Sequence, residues 1–287
     1  MTNRKGIILA GGLGSRLSPI TNSISKQLLP IYNKPMIYYS LSVLMLAGIR
    51  EILLISQSNF LPLYKNLLND GNHLGLKISY LPQDIPKGIA DSFRIGESFI
   101  NKSKIALVLG DNIFYGSNFT KSLMQASKSN KNILFSSIVK NPSQFGVVSY
   151  RGNKPIKIIE KPKIPPSNEA ITGLYFYNND VVELSKKLKP SSRGELEITD
   201  INDFYLKKNK VNITRLPRAT LWLDTGTFEN LHQCSQIIYS IEKNTNIKIG
   251  CIEEIAFYKK WISVKDLKSI IKKYPNNEYS EYLRGLI

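Results

Sequence analysis

A short apolar run, Gly6-Ile7-Ile8-Leu9-Ala10, stops abruptly at Gly11-Gly12, and this junction constrains the chain most. Five apolar residues in a row make a strand buried on both faces. A parallel sheet covered on both sides accommodates such a strand. The first half repeats the pattern. Residues 51–55, 76–80 and 104–109 read as further strands. Residues 36–47, 61–68 and 89–100 read as the helices between them, with Gly48 stopping the first. Strand and helix alternating at this spacing predict an α/β fold, Rossmann-like and doubly wound, around a mixed, mainly parallel sheet.

The second half is less regular. Strands are expected at 133–139, 147–150, 155–159, 171–177, 211–216 and 220–223, and helices at 179–188, 198–208 and 228–243. Thr227 is placed to cap the last of these. Residues 252–287 form a mainly helical tail without recognisable chemistry. The resulting division is a core over 1–250 and a helical segment over 251–287. The core divides further, near residue 130, into two halves.

The loop that follows the first strand, Gly11-Gly12-Leu13-Gly14-Ser15-Arg16, has three glycines in four positions. Glycines let backbone N–H groups approach a phosphate, and an arginine can clamp its oxygens with two parallel hydrogen bonds. The pattern is neither the phosphate loop of the NTPases nor the dinucleotide fingerprint. Open α/β sheets bind ligands beyond the carboxyl ends of their strands, where this loop falls. Lys26, ten residues on, follows a polar loop and adds a second cation. Asp111 ends one apolar strand and Asp224 ends another. A lone Asp there is most simply a turn or cap residue. Two that converge would suit Mg²⁺, which takes one or two carboxylates and keeps water and phosphate oxygens.

The chain carries 39 Lys+Arg against 22 Asp+Glu, a net charge of +17. Such an excess raises nucleic acid as a partner. The basic residues are scattered rather than gathered on an arm or a helix face, so no nucleic-acid partner is expected. A positive field would help collect phosphorylated small molecules. No apolar run approaches the roughly 18 residues of a membrane helix, and the reading is a cytoplasmic protein. Cys234 and Cys251 stand without metal-ligand spacing and read as idle thiols.

Several segments carry a resemblance. Leu9-Ala10-Gly11-Gly12-Leu13-Gly14-Ser15-Arg16-Leu17, Lys26-Gln27-Leu28-Leu29-Pro30, Val108-Leu109-Gly110-Asp111-Asn112, Glu160-Lys161-Pro162, Gly194-Glu195-Leu196-Glu197 and Trp222-Leu223-Asp224-Thr225-Gly226 stand in order along the chain. This series resembles the sugar-nucleotide pyrophosphorylases, nucleotidyltransferases of GT-A-like fold. It is most similar to the glucose-1-phosphate thymidylyltransferases. The resemblance implies transfer of a thymidylyl group from dTTP to glucose 1-phosphate, giving dTDP-glucose and pyrophosphate. It also implies Mg²⁺ on Asp111 and Asp224, with Arg16, Lys26 and Lys161 as the catalytic cations.

By the same resemblance the nucleotide meets Leu9, Ala10, Gly11, Gly12, Gly14, Ser15, Arg16, Lys26, Gln27, Gln83, Pro86, Gly88 and Asp111. The sugar meets Asn112, Phe145, Gly146, Glu160, Lys161, Ile171, Thr172, Gly173 and Trp222. The residue chemistry agrees for Gln83, whose amide gives two-point bonding to a pyrimidine, for Glu160 with hydroxyls and for Lys161 with a phosphate. Trp222 reads equally as a wall of the site or as ordinary core. His73 and His232 sit in no catalytic context. The resemblance further implies a homotetramer with a dTDP-sugar feedback inhibitor. Phe145 stands where many relatives have Tyr, and Ser15 where Thr is usual. Uridylyl transfer or another hexose 1-phosphate on the same scaffold, a non-catalytic sensor and a nucleic-acid binder are the rival readings.

Overall fold

The computed structural model describes residues 4–287. Met1 to Asn3 lie outside the described residues. The first half runs β1 (Arg4–Ala10), a hairpin of β2 (Pro30–Ile31) and β3 (Lys34–Pro35), α1 (Met36–Leu46), β4 (Glu51–Ser56), α2 (Leu61–Leu68), β5 (Lys77–Pro82), α3 (Asp91–Ile95), α4 (Glu97–Ile100) and β6 (Lys104–Leu109). The middle contains β7 (Asn112–Tyr115), α5 (Phe119–Lys128), β8 (Asn132–Ile138), β9 (Gly146–Arg151), β10 (Lys154–Glu160), β11 (Glu169–Tyr177) and α6 (Val181–Lys186). Then come α7 (Ile198–Lys207), β12 (Val211–Arg215), β13 (Leu221–Asp224), α8 (Phe228–Thr245), α9 (Ile252–Tyr258), α10 (Val264–Ile271) and α11 (Glu278–Arg284).

Nine strands form one mixed sheet in the order β10-β9-β11-β6-β1-β4-β5, with β8 paired to β11 and β12 to β8. β5, β4, β1 and β6 are parallel, and β11 runs antiparallel to β6. The doubly wound expectation is met. Side chains alternate along each parallel strand. Ile8, Ile52, Leu54, Ala106 and Val108 face a core shared with α1, α2 and α5. Ile7, Leu53, Ile55, Ile105 and Leu107 face a second core with α3, α6 and α7. Both faces are dry, which is why these strands read as unbroken apolar runs.

Some sequence expectations need correction. The helix expected over 89–100 is two short helices divided at Gly96, whose Cα packs beside Leu53 and Ile7 of the sheet. The tail is three helices, α9 to α11, and Ile252, Ala256, Leu267, Ile271 and Leu283 complete the first core. The cap expected at Thr227 is present, its side chain accepting from the N–H of Asn230. No helix among the described residues is long and apolar enough to cross a membrane.

The β2–β3 hairpin, α8 and the tail meet at a buried ion pair. Lys34 Nζ lies 2.7 Å from Glu242 Oε1, with side-chain exposures of 2% and 1%. Glu242 also accepts from Asn33 Nδ2 and from the N–H of Ile249. Burial pulls the Lys34 ammonium below its usual pKa in spite of this partner. Removing one member of a buried pair leaves the other charge uncompensated, at a cost of about 3–5 kcal/mol. Glu242→Ala is therefore expected to lower the denaturant midpoint by that equivalent. An unchanged midpoint would show the pair to be dispensable.

Candidate active site

Outside the main sheet, β7 and β13 form a two-stranded antiparallel ribbon in which Asp224 pairs with Asn112. This register sets Asp224 beside Asp111, the residue before Asn112. The turn is pinned by Thr225, whose N–H and Oγ1 donate to the Asp111 carbonyl at 3.2 and 2.9 Å. The two carboxylates expected to converge from distant parts of the chain do so.

Each carboxylate responds to the other. Burial raises the pKa of Asp224 to about 6, and the charge on Asp111 adds to the rise. Lys26 and Arg16 act in the opposite sense. Burial also opposes the charge of Asp111, but Lys26 Nζ lies 2.6 Å from its Oδ2 and holds the carboxyl below its ordinary range. Asn112 Nδ2 donates to the other oxygen at 3.1 Å.

A cavity of about 190 Å³ opens beside this pair. Of the residues proposed from sequence, Arg16, Asp111, Asn112, Phe145, Gly146, Glu160, Lys161, Ile171, Gly173, Trp222 and Asp224 line it. Phe145 and Trp222 form one wall, their rings 5.0 Å apart. Trp222 is thus a wall residue, and its Nε1 donates to Asn112 Oδ1 at 2.7 Å. The same oxygen accepts from the N–H of Gly173 at 3.1 Å, so Asn112 spends its carbonyl on fixing the pocket. Lys161 sits in the left-handed region at φ 39°, and its N–H donates to the carbonyl of Phe145. A non-glycine residue held there is strained, and such strain gathers at functional positions. Neither histidine lines the cavity.

Thr172 is not among the lining residues. Alternation along β11 turns Ile171, Gly173 and Tyr175 toward the cavity, which leaves Thr172 out of the lining. Its buried hydroxyl has no partner.

Apart from Arg16 and Asp111, the proposed nucleotide residues are not among those lining the cavity. Leu9 and Ala10 end β1. Gly12, Ser15 and Pro86 are exposed. A Cβ on Gly11 would come within 2.6 Å of Gln83 Oε1, so only a glycine lets that amide rest on the turn. Gln83 Nε2 is tethered to Asp91 Oδ2 at 3.1 Å. Gly14 packs against Thr21 and Lys26. Gln27 is turned inward, its Oε1 accepting from Ser25 and Tyr64, which removes that oxygen from any ligand. Gly88 packs on the backbone of Leu196, whose N–H donates to the Lys87 carbonyl at 2.7 Å and whose carbonyl accepts from Ala90. These bonds join the Gln83–Ala90 loop to the loop carrying Arg193.

Sequence reasoning missed part of the lining. Ile89, Gln144, Tyr175, Arg193, Glu195, Glu197 and Thr199 also face the cavity. Arg193 is ringed by Glu160, Glu195 and Glu197 at 3.4, 3.2 and 2.8 Å. Thr199 Oγ1 donates to Glu160 Oε2. Burial raises the Glu160 pKa, against the Thr199 bond. The available signal was the Gly194-Glu195-Leu196-Glu197 segment, which was read as a motif without roles.

The arrangement joins a glycine turn, a row of cations and two carboxylates on one side to a pocket with hydroxyl-binding groups on the other. That is the plan of a nucleotidyl-transfer site, and residues 5–240 match the nucleotidyl transferase family. The chain is 50% identical to a glucose-1-phosphate thymidylyltransferase of Neisseria meningitidis over 99% of both chains. It is 45% identical to one of Mycobacterium tuberculosis, again over 99% of each. A solved Bacillus anthracis structure, assigned to the same activity and holding a sucrose, is 37% identical. It covers 82% of this chain and 94% of its own, with a TM-score of 0.75. A UDP-glucose pyrophosphorylase complexed with UDP-glucose is 25% identical, over 83% of this chain and 98% of its own, with a TM-score of 0.73. The chain belongs to the nucleotidyl transferase family, among its glucose-1-phosphate thymidylyltransferases.

Proposed function

We propose that this protein transfers the thymidylyl group of dTTP to glucose 1-phosphate, forming dTDP-glucose and pyrophosphate. One observation supports the reading above the others. Arg16, Asp111 and Asp224 face the same cavity as Glu160 and Lys161, so nucleotide and sugar-phosphate groups share one chamber. In this reading a phosphate oxygen of glucose 1-phosphate attacks the α-phosphorus of dTTP. The bond to the bridging oxygen breaks, and its electron pair leaves with pyrophosphate. The attacking oxygen is already anionic near neutral pH. No base is needed, and His73 and His232 have no part.

Catalysis is then placement and charge neutralisation. Lys161 holds the attacking phosphate, and Glu160 accepts from sugar hydroxyls with Thr199 bracing its other oxygen. Arg16 reaches the transferring group. Lys26, resting on Asp111, adds positive charge for the triphosphate. Gln83, on the Gly11 turn, reads the pyrimidine edge, with Leu9, Pro86 and Gly88 around it.

Asp111 and Asp224 fit a divalent cation. No cluster of three or more His, Cys, Asp or Glu able to hold a metal occurs among the described residues. A pair of crowded carboxylates is what Mg²⁺ uses when phosphates complete its shell. Bound there, Mg²⁺ would supply positive charge to the phosphate oxygens. We further propose a homotetramer in the cytoplasm, open to inhibition by a dTDP-sugar end product. The core over 1–250, its two halves and the tail over 251–287 remain our domain division.

Uridylyl transfer is the second reading, favoured by the likeness to the UDP-glucose pyrophosphorylase. Pyrophosphate release should be measured with glucose 1-phosphate and each of dTTP, UTP, ATP and GTP, with Mg²⁺ or with EDTA. dTTP is expected to give the highest kcat/KM, and EDTA to abolish turnover. Preference for UTP would select the second reading, and turnover in EDTA would remove the metal.

A further inference from the structure

We propose that Gly226 is a positioning residue for Arg16: its missing side chain leaves the space in which the guanidinium lies against Asp224. The inference rests on the function proposed above and adds a residue to its machinery. A Cβ at position 226 would stand 3.1 Å from Arg16 Nη2, 3.3 Å from Arg16 Cζ and 3.2 Å from Asp224 Oδ2. The methyl would touch the cation and the carboxylate together. No ion pair within 4 Å joins the two groups directly, yet Arg16 lowers the Asp224 pKa through space.

Three features make this space decisive. The first is what holds Arg16. It is an exposed residue of the turn Ser15–Leu17, and its guanidinium makes no hydrogen bond or ion pair among the described residues. Its place against the backbone of Gly226 is thus set by packing and by the charge of Asp224, with no directional bond. The second is the rigidity of the other side. Thr225 is buried and doubly bonded to the Asp111 carbonyl, Asn230 Nδ2 holds the Asp224 carbonyl at 2.9 Å, and Thr227 caps α8. These bonds hold the backbone of residues 224–227, so an added methyl is relieved by the side chains it touches, above all the exposed end of Arg16. The third is backbone conformation. Gly226 is not among the glycines in the left-handed region, so alanine fits the chain path. What matters here is volume.

The test is a double-mutant cycle. Gly226→Ala, Arg16→Ala and the double variant are purified, and kcat, KM and Tm are measured for each with dTTP, glucose 1-phosphate and Mg²⁺. A displacement of the guanidinium by a few tenths of an ångström is expected to lower the kcat of Gly226→Ala by about three- to tenfold, with both KM values within about threefold. Adding Gly226→Ala to Arg16→Ala should change kcat by less than about twofold, since the group it displaces is gone. The double variant should melt with Arg16→Ala. That comparison still applies if Gly226→Ala alone folds poorly.

Full kcat in Gly226→Ala would overturn the proposal. So would an equal loss of kcat in both backgrounds, or a lower Tm for the double variant than for Arg16→Ala. In those cases an inactive Arg16→Ala leaves the proposed function standing. A fully active Arg16→Ala removes the role of Arg16 and this inference with it.

Discussion

Arg16→Ala is expected to lose about 10²–10³-fold in kcat while folding normally. The side chain is exposed and makes no hydrogen bond, so the fold should keep its stability within about 0.5 kcal/mol. The reacting phosphates are different. A guanidinium fixed beforehand at the rim stabilises negative charge as it develops, without reorganising at the moment of reaction. Turnover and denaturant melts on the same preparation separate the two effects. A variant with wild-type kcat would end the role assigned to Arg16.

Asp224→Asn is expected to lose activity by a similar factor and yet to stabilise the metal-free protein. Burial and the charge of Asp111 raise the Asp224 pKa to about 6. The proton is held more tightly folded than unfolded. The resulting penalty is absent below about pH 4, the ordinary carboxyl range. It grows as pH rises toward 6 and is complete above 6. At pH 7.5 the asparagine escapes it, a gain on the order of 1–3 kcal/mol after allowance for solvent. The Tm of Asp224→Asn should exceed that of the wild type by a few degrees at pH 7.5 and match it near pH 4. Mg²⁺ should raise the Tm of the wild type at pH 7.5 and leave that of Asp224→Asn unchanged. A variant less stable than the wild type without metal would show that the carboxylate is not under stress.

Much of this was legible in the sequence for a local reason. β1, β4 and β6 are apolar on both faces, and a run with that property has only one kind of home. The glycine turn and its arginine are contiguous, so their chemistry could be read together. The partnership of Asp111 and Asp224 could only be expected, because it depends on a register between β7 and β13 across more than a hundred residues. β7 was not foreseen. Its four residues, Asn112 to Tyr115, are too few to declare a period. Arg193 escaped notice because it lies in a loop, and Thr199 because it opens α7, where one turn of helix does not show which way a side chain points. Alternation along β11 could have excluded Thr172, had that pattern been applied to the candidates. The helix expected over 89–100 misled because Gly96 is tolerated by the apolar pattern while the backbone divides there.

The hydrogen bonds from Leu196 to Lys87 and Ala90 limit how such an enzyme can be retrained. The segment that would choose the hexose and the segment that would choose the nucleobase are laced together through their main chains, which replacements other than proline leave in place. Selection for an unfamiliar sugar at residues 193–199 would drag base preference along. Variants from such a campaign should be screened on both substrates from the first round.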